Sequence, residues 1–483
     1  MLGFDSSMWV MFDIIQILDN QADYIPSEQL LFSLGYSNIT QVKKLCKKLQ
    51  DYIKECYTED EITLIINKRH GIRLLRHPTC SFQDLFNLIS SEDIAYCIFK
   101  EILIQRVVSV KEFCDNYFVS FSTLKRKVKE INNTINDYEL HITVSHQLKI
   151  QGKESTIRCF SFFILFMMHR QLSTIPWITN KQKYFDLAAK VSQALQLNYS
   201  FVQEEILALH LFLCCSAIER GYPFHFKEVS LPFLKNIGFP TKPDFLIDWS
   251  TDEWEFLLLM IHNSNLSNYT VPLNFDRLQL PELTHDYKLW ITLFEKYLAP
   301  FDNTQAKFIY QNFLKLYLGS FFFKIDQDLL QAFPGVRFTV KENEQPYFFA
   351  QVQKLWYDFS EHCGSWARNH FETQSLFLCH YLLSAKRLLP QINIYLYTDL
   401  PDLFLENIKN DITSYFASKY NIVFAPKPEE SDLIVGTIKY PEKRNANSPS
   451  QILIQCLLTQ QDYQHLVEII KEVLIQNKKT LSS

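Results

Sequence analysis

The chain has 483 residues, 47% hydrophobic and 21% charged, with a formal net charge of −5. That balance describes a folded chain long enough for several domains, and it excludes both a disordered segment and a protein that meets nucleic acid through a global positive field. Glycine occurs ten times, at positions 3, 35, 71, 152, 221, 238, 319, 335, 364 and 436, and none of these belongs to G-x-G-x-x-G, G-x-x-x-x-G-K-[ST] or G-x-S-x-G. H-E-x-x-H and the Ca²⁺-loop pattern are missing as well. With these signatures absent, no enzymatic activity, cofactor or metal site is expected.

Eleven cysteines lie scattered without a C-x-x-C pair, which reads as reduced thiols in a cytoplasm. His362-Cys363 with His370 comes nearest to a zinc ligand set and lacks a second compact pair. The first twelve residues, MLGFDSSMWVMF, show neither the basic region nor the cleavage site of a secretory signal. The longest apolar run, Phe160–Met168, is shorter than the ~20 residues of a membrane span. A soluble cytoplasmic protein without membrane contact is the expectation. Residues 1–158 hold 19 Lys and Arg against 20 Asp and Glu, so any contact with nucleic acid must come from local clusters.

In chain order, Met8–Leu18 reads as a helix, followed by a short amphipathic stretch, Ser27–Gly35, and then NITQVKKLCKKLQDYI at 38–53. At a constant offset of 82 the last segment lies on SFSTLKRKVKEINNTI at 120–135. Val42, Cys46, Leu49 and Ile53 fall on Leu124, Val128, Ile131 and Ile135, a spacing of 4, 3, 4 that forms one helix face. On the other faces Lys43, Lys44 and Lys47 fall on Lys125, Arg126 and Lys129. Thr40 falls on Ser122, a hydroxyl suited to the start of each helix. Glu92–Val107 and Ser109–Tyr117 repeat the two upstream helices. Downstream, Ile62–Ile66 and Ile72–Leu75 predict a hairpin with Asn67-Lys68-Arg69-His70-Gly71 at its tip, and His141–Val144 with Gln147–Ile150 predicts a second.

Three helices closed by a hairpin describe a winged helix-turn-helix, here twice in tandem. The apolar face of each third helix packs on its own small domain, which leaves the cationic face for a polyanion. Lys43, Lys44, Lys47, Lys48, Lys125, Arg126 and Lys129 suit phosphates, Thr40, Gln41, Ser122 and Thr123 suit base edges, and Lys68 and Arg69 suit the backbone beside a wing. An ordinary solvated face is the competing reading, and two copies in register weigh against it.

From about 160 to 385 the pattern is almost wholly helical and strongly aromatic, with long apolar stretches at Phe160–His169, Phe201–Arg220, Glu253–His262, Tyr287–Tyr297, Lys307–Lys324, Pro346–Cys363 and Phe371–Arg387. A pair of helical domains split near Asp276–His285 accounts for them. His210 sits within the second stretch, where a core histidine is the plain reading. The last hundred residues alternate short apolar strands (Ile392–Thr398, Asn421–Ala425, Asp432–Gly436, Gln451–Gln455) with helices at Asp402–Lys419 and Gln461–Gln476. This pattern predicts a small, mostly parallel sheet, with Thr437–Ser450 as a loop.

This succession resembles the Mga/AtxA family of Gram-positive global and virulence regulators across essentially the whole chain. The resemblance implies a mainly α, multidomain fold: winged helix-turn-helix domains over 1–78 and 79–158, helical domains like those of phosphotransferase-system regulation (PRD) over 159–280 and 281–388, and an α/β domain over 389–483 similar to a sugar-permease IIB component. Leu207-Ala-Leu-His210 through Ala217-Ile-Glu-Arg220 is similar to the histidine-bearing helix of those regulatory domains, so His210 becomes a candidate phosphoacceptor. Lys315–Lys324, the matching helix of the second helical domain, has no histidine, which leaves His380 as the candidate there. The loop Thr398-Asp-Leu-Pro401 lacks the cysteine or histidine of an active IIB enzyme, so the terminal domain is expected to serve association. The implied function is DNA-binding transcriptional regulation, with activation as its expected sense, double-stranded DNA and phosphotransferase phosphocarrier proteins as partners, and a homodimer formed through 389–483. An RNA-binding antiterminator and a phosphotransferase-system phosphocarrier are the other readings; the repeat opposes the first and the missing nucleophile opposes the second.

Overall fold

The computed structural model describes residues 2–36, 38–229, 231–263, 271–322, 346–383, 389–417, 419–441 and 449–481. The expected elements at 323–324, 384–387 and 442–448 lie outside these residues. Contacts divide the chain into two units, Met1–Leu283 with Tyr310–Phe338, and Thr284–Ile309 with Thr339–Ser483. The fold is mainly helical and multidomain with small sheets.

The first unit opens with α1 (Ser6–Asp19), α2 (Ser27–Ser33) and α3 (Ile39–Cys56), then the antiparallel pair β1 (Ile62–Asn67) and β2 (Gly71–Arg76). At the hairpin tip the Asn67 side chain accepts from the amides of Arg69 and His70, at 2.8 and 3.1 Å. Gly71 takes φ +103, and a Cβ there would lie 2.1 Å from the Ile25 carbonyl oxygen, so only glycine lets the strand pass this close to Ile25.

The succession recurs with α4 (Gln83–Ser91), α5 (Ile94–Gln105), β3 (Val107–Ser109), α6 (Val110–Asn116), α7 (Phe121–Ile135), β4 (His141–Val144) and β5 (Gln147–Gln151). One expectation is corrected here: the helix read through Val107 stops at Gln105. Arg106 turns at φ +64, and Val107 pairs antiparallel with Lys149, giving the order β3-β5-β4. Two adjacent β-branched valines fit a pleated edge better than a helix end. The helix-start expectation also moves by two residues. Asn38 caps α3, accepting from the Thr40 and Gln41 amides at 3.0 and 3.2 Å, and Ser120 caps α7, accepting from the Thr123 amide at 3.2 Å. Thr40 and Ser122 therefore lie within the first turn.

Helices α8 (Glu154–His169), α9 (Lys181–Ala194), α10 (Phe201–Glu219), α11 (Thr251–Asn263), α12 (Pro281–Tyr297) and α13 (Ala306–Phe322) follow. In α8 and α10 burial runs round nearly the whole helix, as it must for helices sheathed by others on every side. By length and composition α10 could cross a membrane, but most of it is buried among its neighbours.

In the second unit lie α14 (Pro346–His362), α15 (Ser365–His370), α16 (Glu372–Leu382), β6 (Gln391–Tyr397), α17 (Asp402–Phe416), β7 (Asn421–Phe424), β8 (Leu433–Gly436), β9 (Ser450–Leu453) and α18 (Gln460–Leu481). All the strands here run parallel, in the order β7-β6-β8-β9. Ile392, Ile394, Leu433 and Val435 pack with Ile408, Ile412 and Phe416 of α17 and with Leu466 and Ile470 of α18. Among the helices, the Asp286 carboxylate is buried and accepts from the Gly364 amide and from the Trp366 indole, the latter at 2.7 Å.

Candidate nucleic-acid interface

In α3 the residues Val42, Leu45, Cys46, Leu49, Tyr52 and Ile53 are buried. Thr40, Gln41, Lys43, Lys44, Lys47 and Lys48 are exposed on the remaining surface. The lysines are not equivalent. Lys43 and Lys44 form no ion pair among the described residues, whereas Lys47 lies 3.5 Å from Asp51 and Lys48 lies 3.1 Å from Glu92. Burial works against the Lys48 charge, but its bonds to Tyr52 and Glu92 outweigh that and hold its pKa above the ordinary lysine value. Part of its charge is therefore already answered by the protein.

Helix α7 repeats the arrangement. Leu124, Val128, Ile131 and Ile135 are buried, Ser122, Lys125, Arg126 and Lys129 are exposed, and Thr123 is half-buried. Arg126 lies 3.9 Å from Glu130, a loose exposed pair. Lys127 departs from the cationic pattern. It occupies the place of Leu45 in the first copy and is buried, and its ammonium donates to the Gly3 carbonyl at 2.8 Å and pairs with Asp5 and Glu130 at 2.7 and 3.0 Å. Burial lowers its pKa, but the bonds to Asp5 and Glu130 outweigh this and leave it raised. Sequence reasoning passed over Lys127, although a lysine standing where the repeat places a leucine was the available signal.

Lys68 and Arg69 are exposed at the first hairpin tip. The second tip, Ser145-His146, has no lysine or arginine, so the two hairpins are chemically different.

Polar contacts join the two copies. Asp5 ties the start of the first to the second through Lys127, and its amide donates to Asp93 at 2.7 Å. Glu92 accepts from Lys48 and Tyr52 of α3, and the Tyr57 hydroxyl donates to the Ser81 carbonyl. Side-chain bridges of this kind from both ends of the first copy fix the orientation of α3 relative to α7.

The region behind α7 holds a buried ion network. Arg158 is fully buried and donates to Glu253 at 2.5 and 2.8 Å, to Glu154 at 2.8 Å and to the Tyr222 carbonyl at 2.8 Å. Arg106, also buried, pairs with Glu154 at 2.7 Å. Burial opposes the Arg158 charge, but the Glu253 bonds and nearby carboxylates outweigh it and raise its pKa. Two cations and two anions thus close a neutral set that fastens the end of α5 and the start of α8 to α11.

The two phosphoacceptor candidates stand in opposite settings. His210 is completely buried on α10, its ring stacked 3.8 Å from that of Phe162, and neither ring nitrogen has a hydrogen-bond partner. Burial pushes its pKa down to about 3, so it is neutral and closed to solvent in this conformation. His380 is exposed on α16, with its ring 4.5 Å from that of Phe348.

Residues 78–166 match the family model of the Mga helix-turn-helix domain. No curated protein matches the chain. The matched span contains α4–α7, the β3-β5-β4 sheet and most of α8. The resemblance is borne out over these residues: the chain carries an Mga helix-turn-helix domain, which supports DNA-binding transcriptional regulation of the Mga type.

Proposed function

We propose that the protein is a cytoplasmic transcriptional activator that reads duplex DNA through two winged helix-turn-helix domains, with α3 and α7 as the reading helices. The observation that carries this reading is the exposed cationic face of α7 within the family match, repeated on α3 in the same register and joined to it by fixed polar contacts. Lys43, Lys44, Lys125, Arg126 and Lys129 neutralise phosphates, Lys68 and Arg69 meet the backbone beside the first wing, and Thr40, Gln41, Ser122 and Thr123 stand at the helix starts nearest base edges. Lys47 and Lys48 contribute less because Asp51 and Glu92 already engage them.

Seven phosphate contacts per protomer give a slope of about −6 for log affinity against log salt on duplex DNA. Fluorescence anisotropy with a labelled 30-base-pair duplex and a single-stranded RNA of equal length, between 50 and 200 mM salt, tests this. Lys43→Gln or Lys125→Gln should each flatten the slope by about 1, and Lys48→Gln by less. A slope shallower than about −2, or preference for the RNA, would overturn the reading.

Regulation in this proposal works through the helical domains and the terminal α/β domain. Phosphocarrier proteins phosphorylate His210 or His380, and residues 389–483 carry the dimer contact, which doubles the reading helices on one site. His380 is open to a donor as it stands. Transfer to His210 requires α10 to separate from α8, because Phe162 covers the imidazole.

A further inference from the structure

The turn between α6 and α7 breaks a local rule that its counterpart in the first copy obeys. Both short helices end in the same hydrogen-bonded way: the amide two residues beyond the cap returns to the last turn, Tyr36 to Leu31 at 3.2 Å and Val119 to Cys114 at 3.1 Å. This closure places the intervening residue in the left-handed region, where glycine is the favoured occupant. In the first copy that residue is Gly35, with φ +65 and open space around it. In the second it is Phe118, with φ +52.

A phenylalanine here strains the backbone, and packing gives nothing in return, because Phe118 is 95% exposed and no ring contact to it is seen among the described residues. It precedes the cap Ser120 and the exposed Phe121 and Ser122 by two to four residues, and the helix that follows carries the exposed cations Lys125, Arg126 and Lys129. A strained, unpacked aromatic side chain beside the hydroxyls and cations of a reading helix marks a contact surface.

We propose that Phe118 is a base-reading side chain whose ring meets the C5-methyl group of thymine when α7 lies on duplex DNA. The inference rests on the reading of α7 as a DNA-contacting helix and adds a sequence preference to it. A phenyl ring has no hydrogen-bonding group, so of the features presented in the major groove only the thymine methyl matches it. The exposed cations of the helix that follows favour a polyanion over an apolar protein face. Lysines on phosphates hold the helix in place without naming a base, and Phe118 supplies discrimination that they lack.

The experiment uses the full chain and two 30-base-pair A·T-rich duplexes of identical sequence, one with thymine and one with uracil at every such position. Wild type should prefer the thymine duplex about fivefold to tenfold, the order of discrimination at one base pair. Phe118→Gly and Phe118→Ala should bind both duplexes equally with an unchanged salt slope. Phe118→Gly should also unfold at the same or a higher temperature, since it relieves the left-handed backbone, so loss of discrimination cannot reflect loss of fold. An unchanged thymine preference in Phe118→Gly, no preference in wild type, or an altered sedimentation coefficient with DNA discrimination intact would each overturn the assignment. Absence of any duplex binding by wild type would overturn the reading of α7 as well, which separates the two failures.

Discussion

Arg158→Met should be among the most damaging single substitutions in the first unit. The side chain is fully buried and makes four hydrogen bonds, two of them to Glu253. Its removal leaves the Glu253 carboxylate in the interior with the Phe224 amide as its remaining described donor. Stranding one partner of a buried pair costs about 3–5 kcal/mol. Replacing both partners with apolar groups, Arg158→Met with Glu253→Leu, removes the stranded charge and should recover most of that loss, giving a coupling of about 2–4 kcal/mol. Urea unfolding followed by tryptophan fluorescence reports on this directly, because Trp254 is buried on α11 next to Glu253. Additive single and double variants would refute the network as described.

Three buried histidines of the first unit bear on its acid limit, and residues 389–483 bear on the proposed dimer. Burial depresses His169, His210 and His262 to about 3. The unfolded chain takes up protons at these sites below its ordinary pKa of ~6.5, so their contribution is full above that pH and declines as pH falls towards 3. At pH 5 each should have lost about 2 kcal/mol. His210→Phe should reduce the acid slope in urea titrations between pH 7 and pH 5, and an unaltered slope would place the imidazole in contact with water. Sedimentation velocity should give a dimer for the full chain and a monomer for a chain ending at residue 388; a dimer from both would move the contact out of 389–483.

What the sequence made legible was periodicity. Val42, Cys46, Leu49 and Ile53 and their partners 82 residues on are buried as the 4, 3, 4 spacing requires, and the strands at 392–398, 421–425, 432–436 and 451–455 lie within a residue or two of β6–β9. Features without a period stayed hidden. Arg158 and Glu253 are 95 residues apart and leave no local mark. Lys127 sits among exposed cations in the sequence, yet Asp5 draws it into the interior. Phe118 lies in a turn, where neither a helical nor a strand repeat assigns a face. The apolar runs of α8 and α10 announced helices but not their orientation, because a helix buried all round has no polar side to betray which residues meet.

That same all-round burial bears on how a signal at His210 would reach the proposed DNA-contacting helix α7. Helix α8 carries Phe162, which covers His210, one turn after Arg158 and two turns after Glu154, which binds Arg106 at the end of α5. A phosphoryl group on His210 brings about two negative charges into an apolar site, and Arg158, one turn before Phe162 on α8, already has its carboxylates. It would find no compensation there, so the α8–α10 contact would have to open. Interiors packed at crystal density transmit such a displacement and do not absorb it. Any shift of α8 acts on Glu154 and Arg106, and through them on the helix-turn-helix domain matched at residues 78–166. If His210→Asp alters DNA affinity, that effect should largely disappear in Arg106→Gln, where the link to Glu154 is cut. An equal effect in both backgrounds would mean that the signal travels by another path.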